Sequence, residues 1–158
     1  MRLYTLDREQ FVPRPLSEVF PFFERPDNLE KITPDWMQMR FLTPTPAPMH
    51  VGSVIDYNVR VHGVPLRWTT LIAEYEPPHR FVDVQLRGPY AFWHHTHTFE
   101  ETKGGTLIRD AVRYALPLGP LGALAHTLLI RRDLNTIFAH RQKVIEDLFP
   151  SRHSERVA

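Results

Sequence analysis

Between residues 54 and 115 the chain is interrupted at roughly dozen-residue intervals by turn-forming tetrapeptides, "HGVP", "EPPH", "RGPY" and "TKGG". Glycine and proline at that pitch leave segments too short for the crossover connections a parallel sheet needs, so consecutive hairpins of an antiparallel meander are expected. The segment "VIDYNVRVH" orients the sheet: Ile55, Tyr57, Val59 and Val61 share one face, while Asp56, Asn58, Arg60 and His62 share the other. That alternation describes a sheet buried on one side and wet on the other. Pairing Val61 with Val64 across His62-Gly63 sets Tyr57 opposite Trp68, an aromatic cross-strand pair that supports the register.

The same reasoning applies to "FWHHTHTFEE", residues 92–101, which carries three histidines in four positions. Trp93, His95, His97 and Phe99 alternate with Phe92, His94, Thr96 and Thr98, and the bracketing Trp and Phe turn the first set inward. A connection through Thr102 to Gly105 makes Phe99 face Ile108, His97 face Asp110, His95 face Val112 and Trp93 face Tyr114. An imidazole and a carboxylate are thereby expected side by side on the buried face. "RFVDVQLRGPY" fits less readily. Pairing through Gly88-Pro89 turns Val82, Val84 and Leu86 inward, whereas pairing from Pro77-Pro78 turns Phe81, Asp83 and Gln85 inward, so a bulge or odd loop is required and the inward face of residues 81–87 stays open.

The two ends of the chain follow a helical period instead. "RLYTLDREQFVP" reads as a first strand, followed by Leu16, Val19, Phe20 and Phe23 at helical spacing, with Pro15 in the first turn and Pro21 and Pro26 keeping the helix short. A second short helix capped by Asp27 is expected through Leu29 and Ile32, ending before Pro34. "MQMRFLTP" alternates weakly, and "TPTPAP" reads as a stiff extended connection. From Asp133, a stripe of Leu134, Ile137, Phe138, Arg141, Ile145 and Leu148 defines a long helix able to cross a curved sheet. The glycine-broken "PLGPLGALAHT" before it reads as a separate turn or two.

Composition excludes several functions. The chain of 158 residues is expected to form one domain over 1–150, with a disordered tail at 151–158. Its 19 basic and 18 acidic side chains nearly balance, so no nucleic-acid partner is expected, and Arg131, Arg132 and Arg141 read as a solvated helix face. There is no cysteine, which removes disulfides, thiolate metal sites and thiol nucleophiles. A charged N-terminus without an apolar run and an apolar stretch limited to "LGALAHTLLI" point to a cytoplasmic protein with no stable membrane insertion. Phosphate-binding glycine loops and a G-x-S-x-G element are missing from the sequence.

An inward row of histidines and an aspartate is costly in a solid core, because each unpartnered buried polar group costs kcal/mol, so a cavity between sheet and helix is expected. Four roles remain open: a self-satisfying structural His97–Asp110 pair, contacts to a polar ligand, acid/base chemistry with His97 as base and Asp110 orienting it, and metal binding. Zinc needs a third protein ligand beside the two histidines, and only Asp110 presents itself, so neither a metal nor another cofactor is expected.

One strand, two short helices, a meander and a long terminal helix resemble the helix-grip fold, an α+β architecture in which six to seven curved antiparallel strands wrap the last helix. The segments "NLEKITPDW", "VGSVIDYNVRVHGVPLRW", "EYEPPHRFVDVQLRGPYAFWHHTHTFEE", "GTLIRDAVRYALPLGPLG" and "IFAHRQKVIEDLF" are similar to those of the START-related, Bet v 1-like ligand-binding superfamily, in its bacterial polyketide cyclase/dehydrase-like branch. The resemblance implies an apolar cavity for a lipid, polyketide or aromatic molecule, lined here by Tyr57, Val59, Trp68, Trp93, His95, His97, Asp110, Tyr114, Leu134, Phe138 and Arg141. Some relatives close aromatic rings with dehydration, which makes a cyclase/dehydratase the alternative to simple binding. A third reading is an interaction module, in which Met37, Met39 and "PLGPLGALAHTLLI" form an apolar docking surface for a partner or a second copy; the chain is expected to be a monomer or homodimer.

Overall fold

The turn signals produce the expected hairpins. In the computed structural model, which describes residues 1–43 and 49–151, seven strands form an antiparallel sheet. They are β1 (Leu3–Val12), β2 (Arg40–Phe41), β3 (Val54–Val61), β4 (Val64–Glu76), β5 (Arg80–Arg87), β6 (Phe92–Thr102) and β7 (Gly105–Ala115). Their order across the sheet is β1-β7-β6-β5-β4-β3-β2, a meander from β2 to β7 with β1 closing onto β7. Tyr57 pairs with Trp68 across β3 and β4, and across β6 and β7 the pairs are His97 with Asp110, His95 with Val112 and Trp93 with Tyr114. The stiff connection read from "TPTPAP" lies, apart from Thr43, outside the described residues, as does the tail after Ser151.

The ambiguity over β5 is resolved by two register shifts between β4 and β5, one that leaves Ala73 of β4 unpaired and one that leaves Leu86 of β5 unpaired. With one irregularity on each strand, Phe81 pairs with His97 and Asp83 with His95, so Phe81 and Asp83 take the inward face. Gln85 instead closes the following turn, donating through Nε2 to the Tyr90 carbonyl at 2.8 Å.

The helical segments depart from expectation in three places. The first helix, α1 (Leu16–Phe23), is short as Pro21 requires, but Pro15 precedes it rather than entering its first turn. The second expected helix is a 3₁₀ segment, Pro26–Ile32, followed by a 3₁₀ turn at Asp35–Met37. Asp27 does not cap it; its carboxylate is taken by Arg25, 3.0 Å away. Finally, the glycine-broken segment is continuous with the terminal helix: α2 (Gly119–Ala125) passes through a π-helical turn at His126–Ile130 into α3 (Arg131–Leu148). The 18 residues of α3 extend roughly 27 Å at 1.5 Å per residue. Leu148, placed on the apolar stripe by its spacing, is exposed at the helix end.

Two apolar clusters fill the space between helix and sheet. One gathers Val12, Val19, Phe20, Phe23, Phe99, Ile108 and Ile145; the other gathers Leu6, Trp93, Val112, Tyr114, Leu134 and Phe138. Fully burying a side chain such as Ile108 or Ile145 contributes roughly 1.5–3 kcal/mol, so these clusters fix the helix on the sheet. Between them along β6, β7 and α3 fall His95, His97, Asp110 and Arg141, a polar layer whose members are all buried. Arg141 is therefore not part of a solvated face, in contrast to exposed Arg131 and Arg132.

Candidate functional site

Three adjacent strands and one helix supply the polar layer. Two imidazoles from β6, with ring centroids 3.7 Å apart and ring planes tilted by 33°, stand between a carboxylate from β5 and a carboxylate from β7. On one side His95 Nε2 meets Asp110 Oδ1 at 2.8 Å, and His97 Nδ1 lies 3.0 Å from the same oxygen. The latter contact has ion-pair proximity without hydrogen-bond alignment, so His97 Nδ1 has no hydrogen-bond partner. On the other side Asp83 Oδ2 is 2.7 Å from His97 Nε2 and 3.5 Å from His95 Nδ1. Asp83 Oδ1 accepts a hydrogen bond from Trp93 Nε1 at 3.3 Å, while Arg141 approaches Asp110 Oδ1 to 3.8 Å.

The charges of this layer follow from burial and neighbours. Burial raises the cost of ionising Asp83 and Asp110, yet the cations around them prevail: His95 and His97 lower the pKa of Asp83, and Arg141 with both histidines holds Asp110 well below the usual carboxylate range. Burial depresses His95, and the neighbouring His97 adds to that shift. For His97, burial acts in the same direction but is outweighed by Asp110 and Asp83, which raise its pKa. His97 thus holds its proton more readily than an ordinary imidazole and His95 less readily, between two carboxylates that both favour ionisation.

Beside this layer opens a cavity of about 280 Å³. Tyr57, Val59, Trp68, Trp93, His95, His97, Leu134, Phe138 and Arg141 line it, all residues singled out from the sequence. Asp110 and Tyr114 do not. Asp110 lies behind the histidines, and the Tyr114 hydroxyl points to the helix, 2.9 Å from His126 Nε2. Asp83, undecided from the sequence, belongs to the lining. Met37 and Met39, read as surface residues, are buried and also line the cavity, so they are unavailable for a docking surface. Tyr90, in the β5–β6 turn, carried no sequence signal for its place against Trp68 and Trp93.

Arg141 is held by aromatic faces, its guanidinium carbon 5.6 Å from the Phe23 ring centroid and 5.8 Å from that of Phe138. Its Nε is buried without a hydrogen-bond partner, and so is Trp68 Nε1. Stacked Tyr57 and Trp68, ring centroids 6.0 Å apart, both line the cavity.

A curved antiparallel sheet gripping a long helix around an apolar, partly polar-lined cavity is the helix-grip fold shared by START- and Bet v 1-like proteins. A family model described as "Polyketide cyclase / dehydrase and lipid transport" matches residues 12–139, and the chain belongs to that family. A search of curated proteins gave no significant match. Among solved structures, protein CV1439 from Chromobacterium violaceum is similar over 92% of this chain and 96% of its own, at 15% identity and a TM-score of 0.70. The Zhui aromatase/cyclase from a Streptomyces species matches 93% of this chain and 96% of its own, at 12% identity and a TM-score of 0.67. Norcoclaurine synthase from Thalictrum flavum matches 93% of this chain and 86% of its own, at 14% identity and a TM-score of 0.66. Likeness at such identities shows the fold alone. Family membership supports a role in hydrophobic-ligand binding or cyclase chemistry. Among the described residues no helix is long and apolar enough to cross a membrane.

Proposed function

We propose that the protein binds one small apolar molecule that carries a hydrogen-bond acceptor, a lipid, polyketide or aromatic compound held between sheet and terminal helix. The observation that carries this reading is the pair of orphaned donors on the cavity wall: Trp68 Nε1 and Arg141 Nε are buried and face no protein acceptor. Buried polar groups are almost always satisfied, so an oxygen on the ligand is the natural partner. Size narrows the class further. A dry cavity of about 150 Å³ accommodates benzene, so about 280 Å³ suits a molecule of roughly two rings.

Acid/base catalysis by His97, oriented by Asp110, ranks behind binding for a geometric reason. Asp83 occupies His97 Nε2 and Asp110 stands against Nδ1, so neither ring nitrogen is free to reach a substrate proton unless Asp83 moves.

Isothermal titration with 1-naphthoate and with naphthalene tests the binding reading. A 1:1 complex favouring the carboxylate is expected, and Trp68→Phe, which keeps a ring but loses the N–H, weakens naphthoate binding by roughly 2- to 13-fold, the range of one hydrogen bond. Equal affinity for the two probes together with an unaffected Trp68→Phe variant would count against the orphaned donors as recognition groups.

A further inference from the structure

The polar layer has an asymmetry that ligand binding does not explain. Each imidazole directs one ring nitrogen to Asp83 and the other to Asp110: His95 through Nδ1 and Nε2, His97 through Nε2 and Nδ1. Only the Asp83 side opens to the cavity. There Asp83 Oδ2 lies 2.7 Å from His97 Nε2 and 3.5 Å from His95 Nδ1, and one donor atom from each residue lies within 4.8 Å of the other two. Donors bound to one ion at ~2.0–2.2 Å stand roughly 3 Å apart, a separation these atoms bracket.

The groups behind those three donors are arranged as a metal site requires. A histidine bound to a metal donates its remaining ring N–H to a carboxylate or carbonyl, which fixes its tautomer and strengthens it as a ligand. Here both remaining nitrogens lie against one oxygen, Asp110 Oδ1: His95 Nε2 is hydrogen-bonded to it at 2.8 Å, and His97 Nδ1 stands 3.0 Å away in ion-pair proximity. Asp83 is anchored likewise: its Oδ1 accepts from Trp93, leaving Oδ2 turned to the histidines.

We propose that Asp83, His95 and His97 form a binding site for a divalent first-row transition metal ion, with Asp110 and Trp93 positioning the ligands and the remaining coordination positions open to the cavity. Two imidazoles and one carboxylate select ions of the zinc, iron(II) and cobalt(II) kind over magnesium and calcium, which prefer all-oxygen surroundings. The sequence offered only Asp110 beside the two histidines; the fold adds Asp83 on the neighbouring strand, which leaves Asp110 to stand behind the rings. This inference goes beyond the binding of an apolar molecule and does not depend on it. If both hold, the acceptor end of the cavity's occupant meets the ion.

The test is titration of EDTA-dialysed protein with Zn²⁺ by calorimetry and with Co²⁺ by visible absorption, without any organic ligand. One ion per chain is expected, tighter than about 1 µM, with Co²⁺ d–d bands of a nitrogen/oxygen site and no comparable uptake of Mg²⁺. Asp83→Asn should weaken Zn²⁺ at least 100-fold, Asp110→Asn by 10- to 100-fold, and His94→Ala, on the opposite face of β6, should leave it unchanged. Circular dichroism identifies any variant that fails to fold, and the unmodified protein alone decides the main point. Absence of 1:1 Zn²⁺ uptake by the folded wild type overturns the proposal, as does full retention of affinity in folded Asp83→Asn. Naphthoate binding measured in EDTA keeps the two readings separable: its loss leaves the metal site standing, and its retention does not rescue a failed one.

Discussion

Removing the charge contact between Arg141 and Asp110 tests whether the polar layer ties the helix to the sheet. The closest approach is 3.8 Å, too long for a hydrogen bond, and both side chains are only 11% exposed, so charge attraction with little solvent screening is the dominant link. At an effective dielectric constant of ~20, opposite unit charges at that distance attract by about 4 kcal/mol. Arg141→Met keeps a flexible stem between Phe23 and Phe138 but loses the charge, and Asp110→Asn keeps the shape of the carboxylate without its charge. Each single variant leaves the other ion buried with less compensation and should cost about 3–5 kcal/mol. The double variant loses the same attraction only once, so its cost should fall short of the sum by about 2–3 kcal/mol. Urea unfolding followed by far-ultraviolet circular dichroism, in EDTA and at unchanged m-value, measures all four corners of the cycle. Additivity within about 0.5 kcal/mol would refute the coupling and leave the helix held by its apolar contacts and its other polar contacts, such as Gln10 Nε2 to the Gln142 carbonyl.

Two further expectations concern other parts of the molecule. Gly105→Ala would bring a Cβ to 2.1 Å from the Val12 carbonyl oxygen and 2.8 Å from Phe11 Cζ, forcing β1 away from the start of β7; a loss of about 1–3 kcal/mol in unfolding free energy is expected, and a neutral result would mean the strand pair yields freely. His126 stacks on Tyr4 at 3.6 Å and shares a hydrogen bond with the Tyr114 hydroxyl, with its pKa depressed by burial and by Arg131 and Arg2. Its folded form resists protonation that the unfolded chain accepts near pH ~6.5, so its contribution to stability is complete above that pH and is lost as the pH falls toward the folded pKa. The stability of His126→Gln should therefore fall less steeply than that of the wild type between pH 7 and pH 5, and identical slopes would exclude this contribution.

The contrast between β6 and β5 shows what the sequence can and cannot express. For β6 and β7, the short Thr102–Gly105 connection and the matched inward sets, Trp93 to Phe99 and Ile108 to Tyr114, leave one sensible pairing, and the structure adopts it. For β5 both parities carry apolar residues: Phe81 and Val82 are each buried, so alternation has no preferred phase. What decides is a pair of irregularities, one at Ala73 on β4 and one at Leu86 on β5, neither of which the alternation of apolar residues marks. Asp83 therefore stayed undecided as the fifth member of the layer, while His95, His97 and Asp110 could be placed together. Met37 and Met39 misled for a related reason. Short 3₁₀ turns have no long periodic face, so nothing local to these residues indicates that they fold under the sheet's edge.

The composition of the polar layer also bears on biosynthesis. Asp83 and Asp110 are translated with β5 and β7, whereas the guanidinium that offsets them belongs to α3, which leaves the ribosome later. Arg141 is therefore the last of the layer's charged groups to be synthesised, and the set of charges around Asp110 is complete only once α3 has been added to the sheet.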